Sequence, residues 1–140
     1  LTCYRATHPE KLVVLQEEKW GKWLEWCSGR FDVSFAVASG IEPIDQSRET
    51  LDRLRKVYLQ DQTNVLRMGG LSHAAALLGS AVLALAVEQK ELDTQAAFEA
   101  AFLDEHFQID QWGDDEEASQ RLQSRRQEID EIVKYFGVLG

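Results

Sequence analysis

The run from Ala74 to Val87 carries no charged residue, and it constrains the fold more than any other segment. A bilayer-spanning helix takes about 20 apolar residues. This run is too short for that and reads as a buried helix. Within it Ala76, Ser80 and Ala84 recur every four residues, which gathers small side chains on one face and lets another helix come close. A length of 140 residues at 44% hydrophobic content suits one domain with a real core.

Start and stop signals divide the chain into about five helices. Thr7, Pro9 and Glu10 form a start in which Thr7 caps and Glu10 bonds back, as in a capping box. This first helix is expected to reach about Cys27 and end near Gly29, with Val13, Gln16, Trp20, Trp23, Leu24 and Cys27 on one stripe. Leu15 and Trp26 lie off the stripe, so the helix touches neighbours on two sides. Ser47 opens a second helix with Leu51, Leu54, Val57 and Tyr58 on one face. Asp61 caps a third that reaches Gln89. Gly69-Gly70 weakens it, since each glycine costs about 1 kcal/mol relative to alanine, and a break or bend is expected there. Asp93 caps a fourth, running to Trp112 and stopping at Gly113. Asp114, with Glu117 at the capping-box offset, caps the last, which ends at Gly137. Phe31, Val33, Phe35 and Val37 alternate with Asp32, Ser34 and Ala36 as a short strand would, and Thr2 to Arg5 is the only other β-like segment available to pair with it. Gly40 to Asp45, with Pro43, is a loop. The expected class is mainly α (α+β): a helical domain with a small two-stranded β element.

The net charge of −9 argues against a nucleic-acid or anionic-membrane surface, which requires a basic footprint. Cys3 and Cys27 form neither a CxxC motif nor a disulfide framework, and a reducing compartment is the simplest reading. The chain opens on Leu1, as a fragment or processed product would, and shows no signal or lipidation motif. His8, His73 and His106 lack metal-motif spacing, and no phosphate loop or nucleophile elbow stands out. His106 and Asp110, four apart, could share a metal edge, but a solvated contact is the commoner outcome. Arg121, Arg125 and Arg126 read as a solvated face. No metal, cofactor or small-molecule substrate is expected.

One residue is out of place. On a single helix through this region Phe98, Ala101, Phe102, Glu105, Ile109 and Trp112 share one face. A carboxylate in such a stripe is costly to bury without a partner. Glu105 is therefore expected to have a hidden partner, a shifted pKa as a general acid or base, or a role toward another protein. An enzyme reading would gather Glu105, His73 and His106 in one pocket. Trp26 is a further candidate surface anchor, tryptophan being enriched at interface hot spots.

Three sets of residues carry a resemblance. Cys3-Tyr4-Arg5-Ala6 with Leu12, Gln16, Trp20, Leu24 and Trp26, then Gly79 to Ala86, then Leu103-Asp104-Glu105, Phe107-Gln108 and Gln111-Trp112-Gly113 resemble, in order, segments of the Atp-twelve family of ATP synthase assembly chaperones. The resemblance implies a protein that binds the free alpha subunit of the catalytic head, shields its subunit interface from aggregation and hands it to the beta subunit, without catalysis. It implies that an acidic residue of the Asp104-Glu105 segment matters for that activity; Asp104 and Glu105 are expected to make the electrostatic contacts with the partner, with Gln108, Gln111 and Trp112 setting the geometry around them. It also implies that residues 7–140 are the helical C-terminal part, that 1–6 are the tail of or junction to an N-terminal β-rich module absent here, and a location in the mitochondrial matrix or the cytoplasm of a related bacterium. Gly21-Lys22 stand where the family often carries Asp-Pro, so the local bend is expected to differ.

Overall fold

A computed structural model describes residues 1–113 and 115–139. The chain falls into two compact units, residues 1–68 and 69–140. It is mainly α with a small two-stranded parallel sheet.

In the first unit β1 (Tyr4–Arg5) pairs with β2 (Ala38–Ser39). The Ala38 N–H donates to the Cys3 carbonyl at 2.9 Å, and the Gly40 N–H to the Arg5 carbonyl at 3.0 Å. The expected partner segment is right, but the strand is not where the alternation placed it. Residues 33–37 are irregular, because side chains have taken their backbone groups. Thr50 Oγ1 donates to the Ser34 carbonyl at 2.6 Å. The Gln46 amide closes on both the N–H and the carbonyl of Ala36, each at 2.9 Å.

The first helix is α1 (Glu10–Gln16), a π-helical turn (Glu17–Gly21) and α2 (Lys22–Phe31) in unbroken succession. Its buried row is Leu12, Gln16, Trp20, Leu24 and Cys27, mostly four residues apart. In an α-helix each four-residue step overshoots a full turn by about 40°. A π turn is underwound and absorbs that drift, so the row stays on one face. Thr7 does not cap. Pro9 takes the N-cap position, its carbonyl accepting from Leu12 and Val13, and Thr7 Oγ1 bonds His8 Nδ1 at 3.0 Å instead. The helix passes through Gly29 and ends at Asp32 (φ +55°), a left-handed conformation that aspartate tolerates. From α3 (Arg48–Tyr58), capped by Ser47, Arg53 holds this end by bonding the Asp32 carbonyl and carboxylate, and it also pairs with Glu49 at 2.8 Å. Leu51 faces solvent, whereas Leu54, Val57 and Tyr58 are half-buried. Asp61 closes a turn rather than capping a helix, with its carboxylate on Thr63. The cap belongs to Asn64, whose side chain accepts from the Arg67 N–H at 3.0 Å.

The second unit takes in most of α4 (Val65–Leu78), then α5 (Ala81–Glu88), α6 (Thr94–Ala101), α7 (Leu103–Trp112) and α8 (Glu116–Leu139). The apolar run is two helices, not one. The break falls at Gly79-Ser80, where Gly79 is left-handed (φ +66°) and Ser80 Oγ accepts from the Leu83 N–H at 3.1 Å. Ala76 is exposed and Ser80 buried, so the small-residue stripe is cut. Residues 82–87 of α5 are all buried, with α6 and α8 packed against the helix.

Gly69-Gly70 lies inside α4 without a break. A Cβ at Gly70 would stand 2.6 Å from the Tyr135 ring and 3.0 Å from that of Phe136. The missing side chain is what lets α8 approach. The fourth expected helix also divides, at Phe102 (φ −113°, ψ 28°). α8 is anchored by Leu122, Ile129, Ile132 and Phe136. Asp130 joins Thr94 at 2.9 Å and Lys134 at 2.8 Å, bonds that hold its carboxyl below its ordinary pKa, the Lys134 bond foremost. The Asp114 cap lies outside the described residues. At this end Asp115 Oδ1 accepts from the Glu117 N–H at 3.0 Å. Gly137 does not stop the helix, which continues to Leu139.

Gly70→Ala is expected to cost about 1–3 kcal/mol, the usual range for overpacking. Gly69→Ala, whose Cβ would meet nothing within 4 Å, should be neutral or stabilise by up to about 1 kcal/mol. Urea denaturation of the two variants checks the contrast.

Candidate functional site

The step at Phe102 decides how α7 presents its side chains. The helix restarts at Leu103, so a face traced continuously from Phe98 loses its phase. Leu103 and its i+4 neighbour Phe107 are the buried residues of α7. Glu105, Gln108, Gln111 and Trp112 are exposed, and Asp104 is half-buried. The expectation of a buried Glu105 is therefore overturned. Its carboxylate stands in solvent, on the side of α7 away from the Leu103–Phe107 line. Glu105, Gln108 and Trp112 follow one another at i, i+3 and i+7, with Asp104 and Gln111 beside them. Such spacing groups them on one surface strip. Trp112 is 83% exposed, unusual for a side chain with so much apolar area.

The first unit holds a second polar centre, at its N-terminus. Arg5 is buried. Its guanidinium donates to the Thr2 carbonyl at 2.5 Å, the Tyr4 carbonyl at 2.9 Å and Glu17 Oε2 at 3.0 Å, and lies over the Trp20 ring at 5.7 Å. Gln16, also buried, accepts from the Ala6 N–H at 2.7 Å. These contacts clamp residues 2–6 to the first helix. The amphipathic pattern marked Gln16 and Trp20, but no local signal marked Arg5 as buried. Trp26 is half-buried, edge-on to Trp23 at 6.0 Å and Phe31 at 5.8 Å, more a packed cluster than an exposed anchor.

The groove that holds His73 does not bring the residues of the enzyme reading together. His73 lies in a groove with Gly69, Gly70, Glu128, Glu131, Ile132 and Tyr135, which includes neither Glu105 nor His106. The His106 ring packs edge-on against Phe98 at 4.8 Å, and its Nδ1 bonds the Phe102 carbonyl at 2.8 Å. Asp110 is exposed. Among the described residues no cluster of three His, Cys, Asp or Glu side chains is placed to hold a metal. Cys27 is fully buried. Burial, and next the neighbouring Cys3, push its thiol from 9.0 up to about 12. At neutral pH it stays protonated, the form that neither attacks nor ligates.

No family model matches the sequence. Solved structures do. Atp12 from Paracoccus denitrificans superposes with a TM-score of 0.90 at 29% identity, over 97% of this chain and 57% of that one. The chain is Atp12-like. A lysine-for-aspartate mutant of the Paracoccus protein gives 0.89 at 28% identity. A proposed chaperone from Agrobacterium tumefaciens gives 0.88 at 34% identity, over 100% of this chain and 52% of its own. The chain thus spans little more than half the length of the proteins it matches. These likenesses bear out the family resemblance and the helical fold class. Among the described residues no helix is long and apolar enough to cross a membrane.

Cys27 should resist alkylation at pH 8 in the native chain and react once the chain is unfolded, a contrast that mass spectrometry reads directly. Because its folded pKa lies above its unfolded value, its contribution to stability is complete below pH 9 and declines as pH rises from about 9 toward about 12. A Cys27→Ala chain should lose stability less steeply across that window.

Proposed function

We propose that the chain is the helical part of an ATP-independent ATP synthase assembly chaperone. On this reading it binds the unassembled alpha subunit of the catalytic head, shields its subunit interface and hands it to the beta subunit. The observation that carries the proposal is the superposition on Atp12 over 97% of the chain. The α7 strip supports it, offering a polypeptide partner an exposed tryptophan among carboxylates and amides. Asp104 and Glu105 supply electrostatic contacts and orientation. Gln108 and Gln111 supply adaptable hydrogen bonds, and Trp112 the apolar anchor. The net charge of −9 favours a basic client surface.

Affinity for the client must be moderate. A factor that binds the free subunit suppresses aggregation by mass action, but the beta subunit must still displace it. Residues 1–6 form the junction to an N-terminal module under the same proposal, and the Arg5 clamp would fix that junction on the first helix. The compartment is the mitochondrial matrix or the cytoplasm of a related bacterium.

Glu105→Lys is expected to abolish protection of the alpha subunit in a light-scattering assay. Stability should change by no more than about 0.5 kcal/mol, as for other exposed positions. Loss of helical circular dichroism in this variant would make Glu105 a structural residue and defeat the site assignment. Trp112→Ala should weaken co-elution with the alpha subunit by a factor of about 30, the effect of losing a hot-spot side chain of about 2 kcal/mol.

A further inference from the structure

The groove beside His73 lies between α4 and α8. Its volume is about 320 Å³, at the small end for ligand sites and suited to one long side chain. Gly69, Gly70 and His73 come from α4. Glu128, Glu131, Ile132 and Tyr135 come from α8, spaced at i, i+3, i+4 and i+7 so that they share a face.

The two glycines have different grounds. Gly70 is required inside the protein, since a Cβ there would strike the Tyr135 ring. Gly69 has no such need, because a Cβ there would meet nothing within 4 Å. In a helix interior it nevertheless costs about 1 kcal/mol relative to alanine. What it provides is open space at the groove. The acidic wall is only partly neutralised. Arg125 pairs with Glu128 at 3.0 Å and Lys134 is held by Asp130 at 2.8 Å. Glu131 is exposed and, although Lys134 lies within reach of its charge, makes no direct ion pair among the described residues. An aromatic ring beside a carboxylate, over an apolar floor, suits a guanidinium better than an ammonium. The guanidinium is planar, stacks on aromatic faces and pairs with a carboxylate through two N–H groups.

We propose that the α4–α8 groove receives an arginine side chain from a polypeptide partner. Its methylene stem would lie along Ile132 and Tyr135, and its guanidinium would meet Glu131. That the donor is a polypeptide rests on the chaperone reading; the guanidinium site itself does not.

The test titrates the full chain with n-butylguanidinium, n-butylammonium and n-butanol, followed by ¹H–¹⁵N correlation spectra. Butylguanidinium should give saturable shifts at Gly69, His73 and Tyr135 in the millimolar range, butylammonium should bind more weakly, and butanol should not saturate. Glu131→Gln should weaken the guanidinium at least about fivefold, as expected for loss of one charge-assisted contact. Gly69→Leu should abolish its binding, while circular dichroism confirms that the variant remains folded. Absence of saturation, equal binding of butylammonium, or shifts unaltered by Gly69→Leu would each overturn the proposal. No alpha subunit is present in this experiment, so its failure is distinguishable from failure of the light-scattering assay.

Discussion

The second unit depends on the burial of α5. Residues 82–87 are all buried, so this helix has no solvent face and must be covered by other helices. α6 and α8 do the covering. Burying each of its valines and leucines contributes roughly 1.5–3 kcal/mol and each alanine less, which makes α5 a major source of cohesion in the unit. The glycine at position 70 follows from the same demand, because α4 and α8 come together there with no room for a side chain.

The exposure of α7 is the counterpart of that packing. α6 buries Ala97, Phe98, Ala100 and Ala101, and the chain must turn before it can continue. The step at Phe102 lets Leu103 and Phe107 enter the core while Glu105, Gln108 and Trp112 point outward. A straight helix would have set Glu105 among apolar residues. The local break turns that potential cost into a solvated carboxylate two turns from an exposed indole on the same strip. In the first unit the buried Arg5 is satisfied by carbonyls, a carboxylate and an aromatic face, which is how a buried cation is tolerated.

Helical content, the Ser47 and Asp93 caps, most of the inward row of the first helix (Gln16, Trp20, Leu24 and Cys27, with Leu12 buried where Val13 was expected and Trp23 only half-buried) and the partner segment of the small sheet were legible in the sequence. The helices, caps and row depend on contacts between residues close along the chain, and the row survived because the π turn kept it in phase; the sheet partner, far away in sequence, could be named because no other β-like segment was available. Phase across a break was not legible. The Gly79-Ser80 break carries a local signal, a left-handed glycine followed by a capping serine, whereas no glycine, proline or capping side chain marks Phe102; each interruption resets which side chains face inward. The alternation from Phe31 to Val37 likewise read as a strand, because nothing local announced that Thr50 and Gln46 would claim its backbone groups.

Sequence alone determined a mainly helical, acidic chain with one apolar segment that had to contribute to the core, and it carried the ordered resemblance to an assembly-chaperone family. Tertiary structure decided that Glu105 and Trp112 are surface residues, that Gly70 is a contact point rather than a break, and that α4 and α8 enclose a groove. The physical reason is reach: caps and amphipathic rows are settled within a few residues, whereas exposure and concavity are settled by segments far apart in the chain.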